Sequence, residues 1–432
     1  MTFINSAALV AVTAILVVFL PRYFETQPQV IAHGYVAPGF ENVLEVFREN
    51  FETGRDSRYG GSAFSAYYKG EKVVDVWGGY ADGEIRQPWR EDTMSVFYST
   101  TKGVAAICLA MLADRGLLDY DKPVAHYWPE FAQKGKGRVT VRELIEHKAG
   151  LMLAGPPGLS AELLRDVPKA GELMAFTEPI LELDGKTHGY HPVTFGPLTN
   201  ELLRRVDPKH RTMGKFFAEE IGEPFGIDFH IGLPLEQNYR VARTPVQSNN
   251  IFLLLAQGFS SRITRQAMWY FMRHDLFSRA LANSGLQQPG FFNDPYNRAI
   301  EIPSAGGIGT ARSVAKLFSI VAMGGTDPET NKTLLSKKAA DDLMKSEEPT
   351  FDICLGVPMA FNLGFFASDV VEGEMMYGHP GAGGQMGYAD PTHQVGFGFV
   401  SSTISPFFLK DDPRTDAILA AFYKSVRIQE QK

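Results

Sequence analysis

At 432 residues, with 44% hydrophobic and 12% aromatic content, the chain carries enough apolar material for a large core, which excludes a disordered or fibrous protein. A formal net charge of -7 without any run of Lys or Arg excludes a nucleic-acid-binding surface. Two cysteines, Cys108 and Cys354, are too few for a disulfide framework and lack the paired spacing of a zinc site; Cys108, inside the apolar run 104–112, reads as a buried thiol.

The first predicted element is an apolar segment, 7–20 (AALVAVTAILVVFL), close to the length that crosses a bilayer as a helix. With no Lys or Arg before Arg22 and no A-x-A site after it, residues 1–25 are expected to be a single-pass membrane anchor, with secretion after signal cleavage as the alternative. Arg22 favours a cytosolic C-terminal side. The sequon Asn331-Lys332-Thr333 matters only in a lumenal or extracellular setting. A Pro-containing linker, 26–38, leads to an amphipathic helix over 39–52 with Val43, Leu44, Phe47 and Phe51 on one face.

Stretches 62–68 and 73–77, rich in β-formers around Lys69-Gly70-Glu71, predict a hairpin. Helical spacing follows at 101–116, 140–146, 195–206, 213–221 and 311–323, and 150–183 reads as a Pro/Gly-rich loop bordering a site. Strands are predicted at 387–390 and 395–401, and a closing helix at 415–426. The fold class is therefore α+β: one antiparallel sheet built from both termini, flanked by helices, with a mostly helical insertion. The domain expected over 26–432 divides into a sheet lobe, about 38–90 and 300–432, and a helical lobe, about 91–299.

Three groups of residues carry chemistry. In Ser99-Thr100-Thr101-Lys102, helical spacing brings the serine hydroxyl and the lysine amine onto one face. A serine hydroxyl needs a base before it attacks, and a lysine serves once burial lowers its pKa; the apolar run after Lys102 argues that it is buried. An N-cap serine beside a solvated lysine is the plainer reading of the same spacing.

The second group is Tyr190, between His188 and His191. Beside a lysine cation the phenol ionises more readily and relays protons; otherwise it is a packed aromatic. The two histidines lack a third ligand at metal spacing, and neither a metal nor a cofactor is expected. The third group is the glycine-rich 378–387 (GHPGAGGQMG), read as a strand entry whose backbone N–H groups, with His379 beside them, line an oxyanion hole.

In this order the three groups resemble the serine β-lactamase and penicillin-binding-protein superfamily: class C β-lactamases, DD-peptidases, related esterases and eukaryotic β-lactamase-domain proteins. The likeness runs from about residue 38 to the C-terminus, and 138–151 and 306–313 resemble further segments of that family. It implies Ser99 as acylated nucleophile, Lys102 as its base and Tyr190 as proton shuttle. It also implies an oxyanion hole of the Ser99 and Ala382 N–H groups, with Gly381 and His379 beside it.

Two positions depart from the family. Pro192 stands where an Asn holds the substrate's side-chain amide, and His379 where a Lys meets a substrate carboxylate. The resemblance thus implies a hydrolase of esters or amides, esterase-like rather than antibiotic-hydrolysing, on a small-molecule, peptide or lipid-like substrate. A catalytically silent scaffold and a DD-peptidase-like enzyme are the alternatives.

Overall fold

The computed structural model describes residues 30–57, 59–245, 261–286, 288, 290–405, 407 and 411–432. The expected anchor, 1–25, lies outside the described residues. Among the described residues no helix is long and apolar enough to cross a membrane.

Among the described residues nine strands form one antiparallel sheet drawn from both ends of the chain. From the N-terminal side come β1 (Ala32–Val36), β2 (Gly61–Tyr68), β3 (Glu71–Asp82) and β4 (Gln87–Pro88). A three-stranded sheet of β5 (Ser95–Val96), β6 (Phe229–Ile231) and β7 (Gly307–Gly309) and the β8–β9 hairpin (Thr350–Asp352, Val357–Met359) stand apart from it. The C-terminal side adds β10 (Phe361–Asn362), β11 (Phe365–Val371), β12 (Glu374–Gly381), β13 (Gln385–Asp390) and β14 (Val395–Ser401). The order is β1-β3-β2-β14-β13-β12-β11-β10, with β4 on β3, so β2 and β14, from opposite ends of the sequence, meet in the middle.

The linker expected over 26–38 contains the edge strand β1, paired with β3 from Ala32 opposite Gly78 to Val36 opposite Val74. The strand is short and mostly exposed, so it lacks the apolar alternation that marks buried strands. The glycine-rich 378–387, read as a strand entry, divides in two: His379 and Gly381 lie within β12, and 382–384 makes the turn into β13. Gly383 and Gly384 both have φ near +85°, which explains the run of glycines there.

Helices α1 (Glu41–Glu52) and α6 (Pro413–Glu430) cover one sheet face, through Val43, Phe47 and Phe51 from the first and Ile418, Phe422 and Val426 from the second. The other face receives α2 (Thr100–Asp114) and α5 (Ala311–Ala322). Strand β14 shows how closely α5 packs: a Cβ at Gly396 would fall 2.0 Å from Ser319 N, and one at Gly398 2.6 Å from Ala311 O. Its alternation V-G-F-G-F gives one face to the helix backbone and the other, Phe397 and Phe399, to the α1–α6 core.

Of the insertion's helices, α3 (Val141–Ile145) starts with a capping box between Thr140 and Glu143, and α4 is Phe195–Val206 as the spacing predicts. The helix expected over 213–221 runs regularly only through Met213–Phe217, then passes into a π-helical turn at Ala218–Gly222. Cys108 and Cys354 are both free and buried.

Arg414, at the start of α6, ties the far turn of β12 to the helix. Its guanidinium donates to Gly383 O at 2.6 Å and to Asp412 at 2.8 Å, and faces Asp56 at 3.6 Å, with 3% of the residue exposed. Breaking a buried pair strands its partners, so Arg414→Met is expected to destabilise the protein by about 3–5 kcal/mol, read as a lower urea midpoint at unchanged slope.

Candidate active site

The site is built around the start of α2. β5 pairs with β7, and Phe97 N donates to Gly307 O at 2.8 Å, which fixes the approach to the helix. Tyr98 then takes a left-handed conformation, φ +46°, at a cost of about 1–2 kcal/mol for an L-residue. Thr101 Oγ1 donates to Tyr98 O at 2.5 Å and accepts from Gly307 N at 2.9 Å, and the Tyr98 ring stands edge-on to Phe292, so the bend is held from three sides. Ser99 follows as the N-cap residue. Its side chain makes no capping bond, leaving Oγ free of the helix it begins.

Lys102 lies one turn further on, fully buried, with Nζ 3.4 Å from Ser99 Oγ. Nζ donates to Pro192 O at 2.9 Å and to Ser304 O at 2.7 Å. It stands 4.8 Å from the centre of the Tyr190 ring and 5.7 Å from that of Phe195. Burial, with no carboxylate partner among the described residues, pushes its pKa well below the usual lysine value. A neutral amine has two hydrogens and one lone pair; the two carbonyls take the hydrogens, and the lone pair is left for the Ser99 hydroxyl. Neither carbonyl was legible in the sequence, although Ser304 adjoins the 306–313 segment.

The structure brings Tyr190 to the same point, its phenol hydrogen-bonded to the Ser99 side chain. The sequence-based expectation that this phenol ionises readily is overturned. Burial raises its pKa above the ordinary tyrosine value, and burial also disfavours the charged form of the lysine beside it. The resting phenol is protonated, a donor rather than a base.

Behind it lies a layer of buried histidines. His191 Nε2 accepts from Leu151 N at 3.0 Å, so its Nδ1–H points at His147 Nδ1, 3.2 Å away, which also accepts from His191 N. Backbone donors thus keep both rings neutral. Burial pushes His191 down to about 3, and burial and the His191 ring push His147 well below the usual range. His147 had a sequence signal, its place in the 138–151 segment; Asp352, whose Oδ2 accepts from Tyr190 N at 2.8 Å, had none.

Strand β12 closes the other side. A Cβ at Gly381 would lie 2.3 Å from Phe97 O and 2.9 Å from Thr100 Oγ1, so only glycine lets the strand run against the bend before Ser99, with Ala382 next along it. His379 is 2% exposed, its ring centre 6.1 Å from that of Tyr190. Its Nδ1 donates to Pro380 O at 2.6 Å, while burial and the nearby Lys102 push its pKa down to about 3. It therefore presents no cation to a substrate. Among the described residues one trio has metal-ligand spacing, Glu374, Asp390 and His393, at the opposite end of β12. Arg427, Glu430 and Tyr423 engage it, which reads as an ion-pair network fastening α6.

Comparison with known proteins agrees with this geometry. Esterase/beta-lactamase LipL of Mycobacterium tuberculosis is 34% identical over 386 residues, covering 88% of this chain and 85% of that protein. The crystal structure of a family VIII carboxylesterase superposes with a TM-score of 0.78 at 34% identity, over 91% of this chain and 100% of that one. A penicillin-binding protein homologue from Caulobacter crescentus gives 0.75 at 31% identity, over 91% and 100%. The Beta-lactamase family pattern matches residues 47–421, and the chain is accordingly a serine hydrolase belonging to the Beta-lactamase family.

Proposed function

We propose that the protein is an esterase that acylates Ser99, with Lys102 as general base, Tyr190 as proton relay, and the Ser99 and Ala382 N–H groups as oxyanion hole. The observation carrying this reading is the coordination of Lys102, whose two carbonyl acceptors leave its lone pair to the serine. In this reading Lys102 takes the Ser99 proton as Oγ attacks the ester carbonyl carbon. The tetrahedral oxyanion forms against the two N–H groups, and collapse breaks the bond to the alcohol oxygen. That alkoxide receives a proton through the Tyr190 hydroxyl, which Lys102 replenishes; water, deprotonated by the same pair, then releases the acid.

Substrate preference follows from the two departures. Pro192 offers no side-chain amide, and its carbonyl is engaged by Lys102. His379 is neutral where a cation would meet a carboxylate. A neutral acyl ester suits such a site, and an acylamino carboxylate leaves its charge uncompensated. The named esterase activities of LipL and of the carboxylesterase support the same choice. Comparing kcat/KM for p-nitrophenyl butyrate with that for a cephalosporin should favour the ester by at least about 100-fold, the scale of a lost charge-assisted contact. A preference for the β-lactam would refute the assignment.

The apolar segment 7–20 supports membrane attachment through residues 1–25, with 26–432 as the catalytic domain. Resistance of the full chain to alkaline carbonate extraction, lost on removal of 1–25, is the expected result; release of the full chain would contradict it.

A further inference from the structure

We infer that Asp352 is a positioning residue for the Tyr190 relay, holding that tyrosine's backbone from a hairpin 162 residues further along the chain. The inference rests on the relay role proposed for Tyr190. Asp352 is fully buried at the end of β8 and accepts three backbone N–H groups. Oδ1 takes Cys354 N at 2.9 Å and Leu355 N at 2.8 Å, which closes the β8–β9 turn. A turn of this kind needs one side-chain oxygen. The second, Oδ2, is given to Tyr190 N at 2.8 Å.

The neighbouring donors are also engaged: Gly189 N by His147 O at 3.0 Å and His191 N by His147 Nδ1 at 3.2 Å. Three successive N–H groups around the tyrosine are therefore fixed, the middle one by Asp352. Ile353 N donates to His188 O at 3.0 Å, which sets the hairpin beside the tyrosine segment. The hairpin is itself anchored to the helix Arg262–Phe271, where Tyr270 Oη donates to Ile353 O at 2.6 Å and Gln266 Nε2 to Gly356 O at 3.2 Å. Burial raises the Asp352 carboxyl to about 6, while its three N–H donors oppose that shift, consistent with an anion held by its donors.

Asp352→Asn separates the two duties of this side chain. The amide oxygen keeps the turn, and its NH2 faces Tyr190 N, so the contact to the tyrosine alone is lost. The expected result is a fall in kcat of about 10- to 100-fold for p-nitrophenyl butyrate, with KM changed less than about threefold, as for a displaced reacting group. Rates are expressed per site titrated with a fluorophosphonate, so that misfolded protein is not counted. In the Tyr190→Phe background the same substitution should add no further loss.

A folded Asp352→Asn enzyme with wild-type kcat beside an impaired Tyr190→Phe enzyme would overturn the inference, and so would losses that multiply in the double variant. Full activity of Tyr190→Phe would remove the relay reading and the inference with it. If Asp352→Asn does not fold, Tyr270→Phe, which releases the hairpin at Ile353, is expected to lower kcat at least about threefold at constant KM. Unchanged kcat there would count against the inference equally.

Discussion

Lys102→Met is expected to lower kcat/KM for ester hydrolysis on the order of 10⁴-fold, the upper range for loss of a positioned general base. Methionine fills a similar volume but has no lone pair of comparable basicity for Ser99, and nothing else described within reach of Oγ substitutes. The Tyr190 phenol is held protonated by burial, and burial pushes His379 and His191 down to about 3, which leaves both rings weak bases, the His191 Nε2 lone pair being also taken by Leu151 N.

The same substitution has a thermodynamic signature. The folded pKa of Lys102 is depressed well below its unfolded value of about 10.5, so between the two the unfolded chain binds a proton that the folded protein does not. Stability of the wild type therefore rises with pH through this range, by up to about 1.4 kcal/mol per pH unit, and the Met variant lacks that slope. Urea unfolding of both proteins at pH 7 and pH 9 should show the difference moving toward the wild type at the higher pH. A constant difference would mean that the folded lysine is charged.

Acid is expected to unfold this protein early. His191 and His379 are held down to about 3 and His188 to about 4, each from an unfolded value near 6.5, and in each case burial is the first cause. Below pH 6.5 the unfolded chain takes up protons that the folded protein refuses, so stability falls as pH falls. Each histidine contributes about 1.4 kcal/mol per pH unit, and at pH 5 the three together about 6 kcal/mol, a large part of a typical folding free energy. Some groups work the other way: Asp352, raised by burial to about 6, Asp390, also raised by burial, and His393, raised by Glu430 and Glu374, bind protons more readily when folded, and they offset part of the loss. The net expectation is a urea midpoint that drops steeply between pH 6.5 and pH 5; a flat midpoint across that window would mean that the histidine layer is hydrated or charged.

What was legible in the sequence is what local spacing encodes. Ser99 and Lys102 are three residues apart on one helix, and the apolar run behind them predicted the burial that the structure shows. The hairpin of β2 and β3, the strands after Gly384 and the helix at Phe195–Val206 follow from pattern alone. What escaped is carried by contacts between distant segments. The carbonyls that orient Lys102 lie 90 and 202 residues away, and Asp352 meets Tyr190 across 162. Strand β1 escaped because an exposed edge strand bears little apolar signature. The state of Tyr190 was misjudged for a related reason: adjacency to a lysine suggests an ionised phenol only if the lysine is charged, and burial of both groups reverses that inference.

A scaffold that merely retained the fold would have no use for a buried, desolvated lysine directed at a free serine hydroxyl. The most direct test of that arrangement is intact-mass analysis after incubation with a fluorophosphonate or a slowly deacylating p-nitrophenyl ester, followed by peptide mapping. One adduct per chain on Ser99, lost in Ser99→Ala and formed at least about a thousandfold more slowly in Lys102→Met, is the predicted result. An adduct on another residue, or undiminished labelling of Ser99 in the absence of Lys102, would contradict it.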